Sequence, residues 1–304
     1  MPADPAVPAD PVATVPAGAS FPPIRRLGPD DLKRCIALSV DRGWSPEASK
    51  WSLLLVSSAV FGVDAPDGRG LAGTVVLTRW AADYAAVGMV LVAARYGRRG
   101  LGSALMEHAL RAAGPGATVT LFATDMGRPL YEKLGFAAVR RNVPFAGRFR
   151  ARPGDDAGGV RAATPADLPA ILDLDRAAFG ADRGHVLTRL CTLVDRMVVV
   201  EAGGQKGRGL AGYAAAWRNT PASAVIGPLV APDGDTARHL VTALAADAAT
   251  PVRLDLDPDR PELPGWAHAH GLEPAGLTVV MAHGEATARG VPGRLFTPIS
   301  VALA

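Results

Sequence analysis

Four segments of the chain recur in the same order at nearly constant spacing. "GPDDLKRCIALSV" from Gly28 and "TPADLPAILDLDRAAF" from Thr164 align with an offset of 136 residues, and "GLAGTVVLTRW" from Gly70 and "GLAGYAAAWRN" from Gly209 with an offset of 139. "VAA" at Val92 returns as "VAP" at Val230, and "KLGF" at Lys133 returns as "AHGL" at Ala269. Internal repetition at this period means two copies of one unit, and 304 residues are enough to give each copy its own core. The copies meet at "RARPGDDAGG", residues 150–159, which has linker composition. Residues 1–22 are Pro/Ala-rich, lack the apolar block and basic start of a signal peptide, and read as a mobile, disordered tail. The expected organisation is a tail over 1–22, a first domain over 23–149, a linker over 150–159 and a second domain over 160–304.

Each copy follows one pattern. An Asp-capped helix (Pro29–Val40; Pro165–Phe179) leads into a less regular helical stretch and a hairpin, "FGVDAPDGRGLAGTVVLTRW" in the first copy. Then come an apolar strand ("AAVGMVLVAA"), a helix ("GSALMEHALRAAG"), a strand ("TVTLFAT"), a short helix ("GRPLYEKLG") and a last strand ("FAAVRR"). This order predicts an α/β fold, a mixed sheet flanked by helices, with the strand around "GMVLVAA" central because it is apolar on both faces.

A formal charge of +3 is too weak to argue for nucleic acid, and the basic run "VRRNVPFAGRFRARPG" reads as a solvated edge or linker. Cys35 and Cys191 lie far apart without metal-ligand spacing and read as small hydrophobes in a reducing compartment. No metal is expected. No apolar run has the length to cross a bilayer, so a cytoplasmic protein, monomer or homodimer, is expected.

"RYGRRGLGSALM", residues 95–106, sets two arginines and two glycines directly before a helix. A helix start offers unpaired N–H groups and partial positive charge, so Arg98, Arg99, Gly100, Leu101, Gly102 and Ser103 form a candidate diphosphate nest. The loop alone reads equally as an ordinary strand-to-helix turn. Downstream, "LFATDMGRPLYEKLGF" places Tyr131 on a short helix beside the next strand. With both motifs in this order, residues 23–147 resemble the GNAT superfamily of acyl-CoA-dependent N-acyltransferases, and the whole chain resembles a tandem GNAT with a degenerate second domain.

The resemblance implies acetyl-CoA as co-substrate, its pantetheine bonded by the backbone of Val90, Leu91 and Val92 and by Thr124, its pyrophosphate held by residues 98–103. It also implies direct attack by an amine on the thioester, with Tyr131 protonating the departing thiolate; a core aromatic is the other reading of Tyr131. Three departures stand out. Gly97 occupies a loop position usually held by Gln or Arg, Thr124 stands where many members carry Asn, and Ala93–Ala94 replace the proline common after the strand. The general base is not readable among Asp41, Glu47, Asp64, Asp83 and Asp125. Trp44 and Trp51, seven apart, suit one helical face and either the floor of an acceptor pocket or the core.

The second copy has lost this machinery. "PDGDTARHL" puts Asp233 and Asp235 where the phosphate nest would be, and Ala267 matches Tyr131. His268 and His270 read as polar residues on a helix that ends at Gly271. This half is expected to pack on the first and wall the acceptor site through "FGADR", with Arg183 as the contributing residue.

The reading is acetyl transfer to a small-molecule amine or amino-acid-like acceptor. The alternatives are aminoacyl-tRNA-dependent acyl transfer on the same fold, which would make tRNA a partner, and a non-catalytic acyl-CoA sensor.

Overall fold

The computed structural model describes residues 21–204, 209–285 and 289–303. The tail expected over 1–22 therefore lies, except for Phe21 and Pro22, outside the described residues. Phe21 packs edge-on against Tyr96, with ring centroids 5.5 Å apart.

The first half runs β1 (Arg25–Arg26), α1 (Leu32–Asp41), α2 (Ala48–Ser57), β2 (Ala59–Asp64), β3 (Leu71–Ala81), β4 (Tyr84–Val92), α3 (Leu101–Ala113), β5 (Thr118–Ala123), α4 (Arg128–Lys133) and β6 (Ala137–Gly147). The second half repeats it with β7 (Val160–Ala162), α5 (Leu168–Phe179), α6 (Gly184–Leu190), β8 (Arg196–Glu201), β9 (Leu210–Thr220), β10 (Ser223–Val230), α7 (Gly234–Ala245), β11 (Val252–Leu256) and α8 (Pro264–Ala269). Three strands close the chain: β12 (Glu273–Pro274), β13 (Thr278–His283) and β14 (Leu295–Thr297). The repeat extends to an ion-pair device. Arg25 binds Asp31 (2.8 Å) and Asp64 (2.9 Å), and Arg161 binds Asp167 (2.7 Å) and Glu201. The Arg25 guanidinium holds the Asp31 carboxyl down at about 2.

The halves are interlocked rather than merely packed. One mixed sheet carries all fourteen strands in the order β1-β2-β3-β4-β5-β13-β6-β11-β10-β9-β8-β7, with β12 on β6 and β14 on β10. Strand β13, from the end of the chain, lies between β5 and β6 and pairs antiparallel with both. In return, residues 143–147 of β6 pair with β11 of the second half. The apolar core follows this exchange: Leu190, Trp217, Ile299 and Leu303 join the first-half core, and Phe145 joins the second. The basic run read as an edge or linker is thus corrected over 139–147. Apolar neighbours on both strands make it a central strand, and Arg141 reaches across to an ion pair with Asp259.

Two irregularities position the site. In β4 the register slips between the Val76–Gly88 and Thr74–Leu91 pairs, and Met89 takes a left-handed φ of 48°. Such a bulge bends a strand away from its neighbour. Accordingly β4 and β5 pair only over 84–86 and 118–120, and part beyond them. No proline is needed for this. Thr74 Oγ1 holds the bulge by donating to the Met89 carbonyl at 3.0 Å.

Candidate functional site

The opening between β4 and β5 gathers the residues singled out in the first half. Helix α3 begins at its mouth. Gly100, the residue before the helix, has φ 78°, and Arg98 has φ 59°, so the chain turns tightly with its amides toward the helix start. Among the described residues, no acceptor takes up the N–H groups of Arg98 to Ser103, and the Arg98 side chain has no ion-pair partner. Arg95 is spent otherwise, on Asp67 at 3.1 Å and on the Arg69 carbonyl at 2.7 Å. A Cβ on Gly102 would sit 3.3 Å from Leu130 Cδ2 and 3.8 Å from Val92 Cγ2. Helix α3, helix α4 and the end of β4 therefore meet at this glycine. Val90 and Val92 are half-buried, on the stretch of β4 that has left β5.

Tyr131 stands on the first turn of α4, 8% exposed, with its ring 5.9 Å from that of Phe136. Its hydroxyl has no hydrogen-bond partner among the described residues. Burial pushes the phenol up to about 12, which keeps it protonated at neutral pH, as a proton donor requires. The ring rests over Gly127: a Cβ there would lie 2.9 Å from Tyr131 Cε2. Thr124 is partly engaged in starting α4, its hydroxyl accepting from Gly127 N–H at 3.3 Å and its carbonyl from Arg128 N–H at 2.9 Å. The carboxylates considered as bases mostly have partners. Asp41 accepts from Ala94 N–H (2.7 Å), Glu47 binds Lys50 and Asn219, Asp64 binds Arg25 and Asp83 binds Arg289.

The tryptophans need correction. Trp44 lies in the loop after α1, 40% exposed, whereas Trp51 on α2 is fully buried with its Nε1–H donating to Ser39 Oγ at 2.9 Å. They share no helical face, because the turn at Arg42–Gly43 ends α1 before Trp44. Trp51 is core. Arg183 is also buried, 1% exposed, with two hydrogen bonds to Asp175 (3.0 and 2.6 Å) and its guanidinium 4.0 Å above the Phe179 ring. Tyr213 donates to the same carboxylate. Arg183 nevertheless lines a cavity of about 450 Å³ between the halves.

The equivalent opening in the second half is filled. Strands β10 and β11 pair only at Ala224–Val252 and Val225–Arg253, and β10 slips register between Ile226 and Leu229, as β4 does. There β14 inserts, pairing Thr297 with Leu229 and Leu295 with Val230. A Cβ on Gly227 would lie 2.2 Å from the Pro298 carbonyl oxygen. At the start of α7, Asp233 caps the helix by accepting from Thr236 N–H at 2.8 Å, and Asp235 pairs with Arg238. Ala267 is fully buried. His270 stacks on Phe149, packs against Trp266 and is bonded to Asp155 at 2.9 Å, while His268 faces Glu273. No cluster of metal ligands occurs among the described residues. Nor is any described helix long and apolar enough to cross a membrane.

A mixed sheet whose bulged fourth strand parts from the fifth, with a glycine-started helix at the opening, is the architecture that the sequence motifs resemble. Models of the acetyltransferase (GNAT) domain match residues 59–138 and residues 171–297. The chain belongs to the GNAT acetyltransferases and carries two such domains in tandem. An uncharacterized N-acetyltransferase of Bacillus subtilis, YitH, is 30% identical over 185 residues, 58% of this chain and 62% of that protein. Among solved structures, a candidate acetyltransferase from Pyrococcus horikoshii superposes with a TM-score of 0.76 at 20% identity, covering 92% of this chain and 95% of its own. A tandem GNAT protein from the clavulanic acid biosynthesis pathway superposes at 0.60 and 17% identity, covering 87% and 99%. These likenesses show the fold.

Proposed function

We infer that the chain transfers an acetyl group from acetyl-CoA to the amine of a small molecule, and that the first half holds the donor. The observation that carries this reading is the contrast between the two openings: β4 and β5 part around unsatisfied backbone and an unpartnered phenol, while the matching space at β10 and β11 holds β14. Residues 98–103 suit a pyrophosphate, with six N–H groups that find no acceptor among the described residues and the Arg98 and Arg99 side chains beside them. Backbone groups of Val90 to Val92 suit the amides of pantetheine.

Bound acetyl-CoA supplies an activated thioester. The chain's residues do the rest. An N–H at the β4 bulge stabilises negative charge developing on the carbonyl oxygen. As the C–N bond forms and the C–S bond breaks, Tyr131 passes its phenolic proton to sulfur. The proton shed by the amine leaves through solvent, and the phenol is restored from solvent.

The test is thiol release from acetyl-CoA against a library of amines, with the acetylated product identified by mass spectrometry. Turnover of at least one amine by the wild type, strongly reduced in Tyr131→Phe, is expected. Tight acetyl-CoA binding without turnover of any amine would instead favour a sensor.

A further inference from the structure

The cavity of about 450 Å³ lies at the seam of the two halves, on the face of the sheet opposite α3. Strand register sets its floor: Phe122 on β5, Val280 on β13 and Arg140 on β6 stand in one row across three strands. Tyr84 and Thr120 belong to the same face. The second half closes the cavity with Phe179, Arg183, Asp257, Arg260 and Arg289. Phe179 stacks on Tyr84 at 5.7 Å, and Arg289 lies 4.6 Å over the Tyr84 ring, so aromatic contacts fix the two walls together.

Four arginines and one aspartate among the described lining residues make the charge unequal. Three of the arginines have acids: Arg183 has Asp175 at 2.6 Å, Arg289 has Asp83 at 2.8 Å and Arg260 has Glu262 at 3.4 Å. Arg140 is different. Among the described residues it has neither an ion-pair nor a hydrogen-bond partner, only the Phe122 ring at 5.9 Å. It is open to the cavity yet surrounded by protein, and this crowding draws its pKa down against the pull of Asp257. A second guanidinium group is also incomplete: Nη1 of the buried Arg183 has no partner among the described residues. The buried Nη1 of Arg183 is costly to leave unmatched, and the exposed fork of Arg140 in the same cavity is free to pair with an anion.

We propose that this cavity binds the anionic end, a carboxylate or phosphate, of a small amine-bearing acceptor, with Arg140 as the principal anchor and Arg183 Nη1 as the second. That the ligand is the acceptor rests on the acetyl-transfer reading. The anion site itself stands on the cavity and its unmatched arginines. Arg140 is thus a specificity residue of the second-substrate site, on the face of β4 and β5 opposite α3.

The test uses the full chain and matched pairs of probes: amino acids against their primary amides, and O-phosphoethanolamine against ethanolamine. Binding is read by calorimetry at millimolar concentrations, and turnover with acetyl-CoA is read separately. The expected result is binding of an anionic member at least about tenfold tighter than its neutral twin, the discrimination that charge-assisted hydrogen bonds give. Arg140→Gln should abolish that preference and leave acetyl-CoA affinity unchanged, and Arg140→Lys should restore part of it. The amino-acid and phosphate arms tell which anion is taken. Equal binding of both twins, no binding by any probe, or a preference that survives Arg140→Gln overturns the proposal. Anion binding lost in Arg140→Gln without turnover would keep this site and remove the acetyl-transfer reading.

Discussion

The two halves build the same opening and use it oppositely. In both, the fourth strand of the repeat slips register at a glycine, Gly88 or Gly227, and parts from its parallel neighbour. In the second half the chain fills the gap with β14, caps the facing helix with Asp233 and buries Ala267 where the first half has Tyr131. In the first half the gap keeps its backbone groups, the helix starts on an uncapped glycine and the phenol is unpartnered. The same C-terminal segment touches both bulges, since a Cβ on Gly88 would lie 2.4 Å from the Ala302 carbonyl oxygen. A repeated fold supplies the cleft, and a few local residues decide whether it stays open or the chain itself fills it.

The strongest way to break this comparison is to separate the halves. A chain ending near residue 150 lacks β13, leaving β5 and β6 without their shared partner in mid-sheet. It should lose all activity and bind no acetyl-CoA, with circular dichroism melting showing no cooperative transition. A fully active fragment would mean that strand exchange is dispensable.

Next in size is Tyr131→Phe. Acetyl-CoA affinity should hold while turnover falls roughly 10²–10⁴-fold, the range of general acid catalysis. Gly127→Ala should act in the same direction but less, because the added methyl displaces the ring without removing the phenol. Steady-state kinetics on both variants checks this, and a larger loss in Gly127→Ala would place the essential group elsewhere.

A smaller and paired effect compares the two helix starts. Gly100→Val forces a branched residue to φ 78°, at a cost of about 1–3 kcal/mol, and closes the backbone to a diphosphate. Acetyl-CoA binding, measured by calorimetry, should weaken. Asp233→Ala should cost about 1 kcal/mol of thermal stability through the lost cap and leave acetyl-CoA binding untouched.

The smallest effect is a pH dependence. The Tyr131 phenol, near 10 when unfolded, is raised to about 12 in the fold. The folded protein therefore favours the protonated form, so this contribution to stability is complete below pH 10 and is lost as pH rises from 10 toward 12. Stability, measured by denaturant unfolding across that window, should fall less steeply in Tyr131→Phe than in the wild type.

Much of this was legible in the residues. Spacing and composition indicated the repeat, the hairpin, α3 and its glycine start, and the short helix that carries Tyr131. The carboxylates at the start of α7 were legible as a helix cap, and Asp233 caps that helix. The strand exchange was not legible, because "VRRNVPFAGRFRARPG" is rich in arginine and reads as a solvated edge or linker. Only tertiary context shows that Arg140 faces a cavity and Arg141 an ion pair. Nor was β14, since three residues, Leu295 to Thr297, are too short to show a period. Trp44 and Trp51 misled because their spacing is helical while Trp44 lies in the loop before α2, which starts only at Ala48.

The central claim, one donor in one opening, is tested most directly by a crystal structure of the full chain with acetyl-CoA. The account predicts one molecule per chain, its pyrophosphate at the amides of Arg98 to Ser103 and its pantetheine between β4 and β5, with residues 295–297 still paired to β10. Acetyl-CoA seated between β10 and β11 with those residues displaced, or bound in both halves, would contradict it.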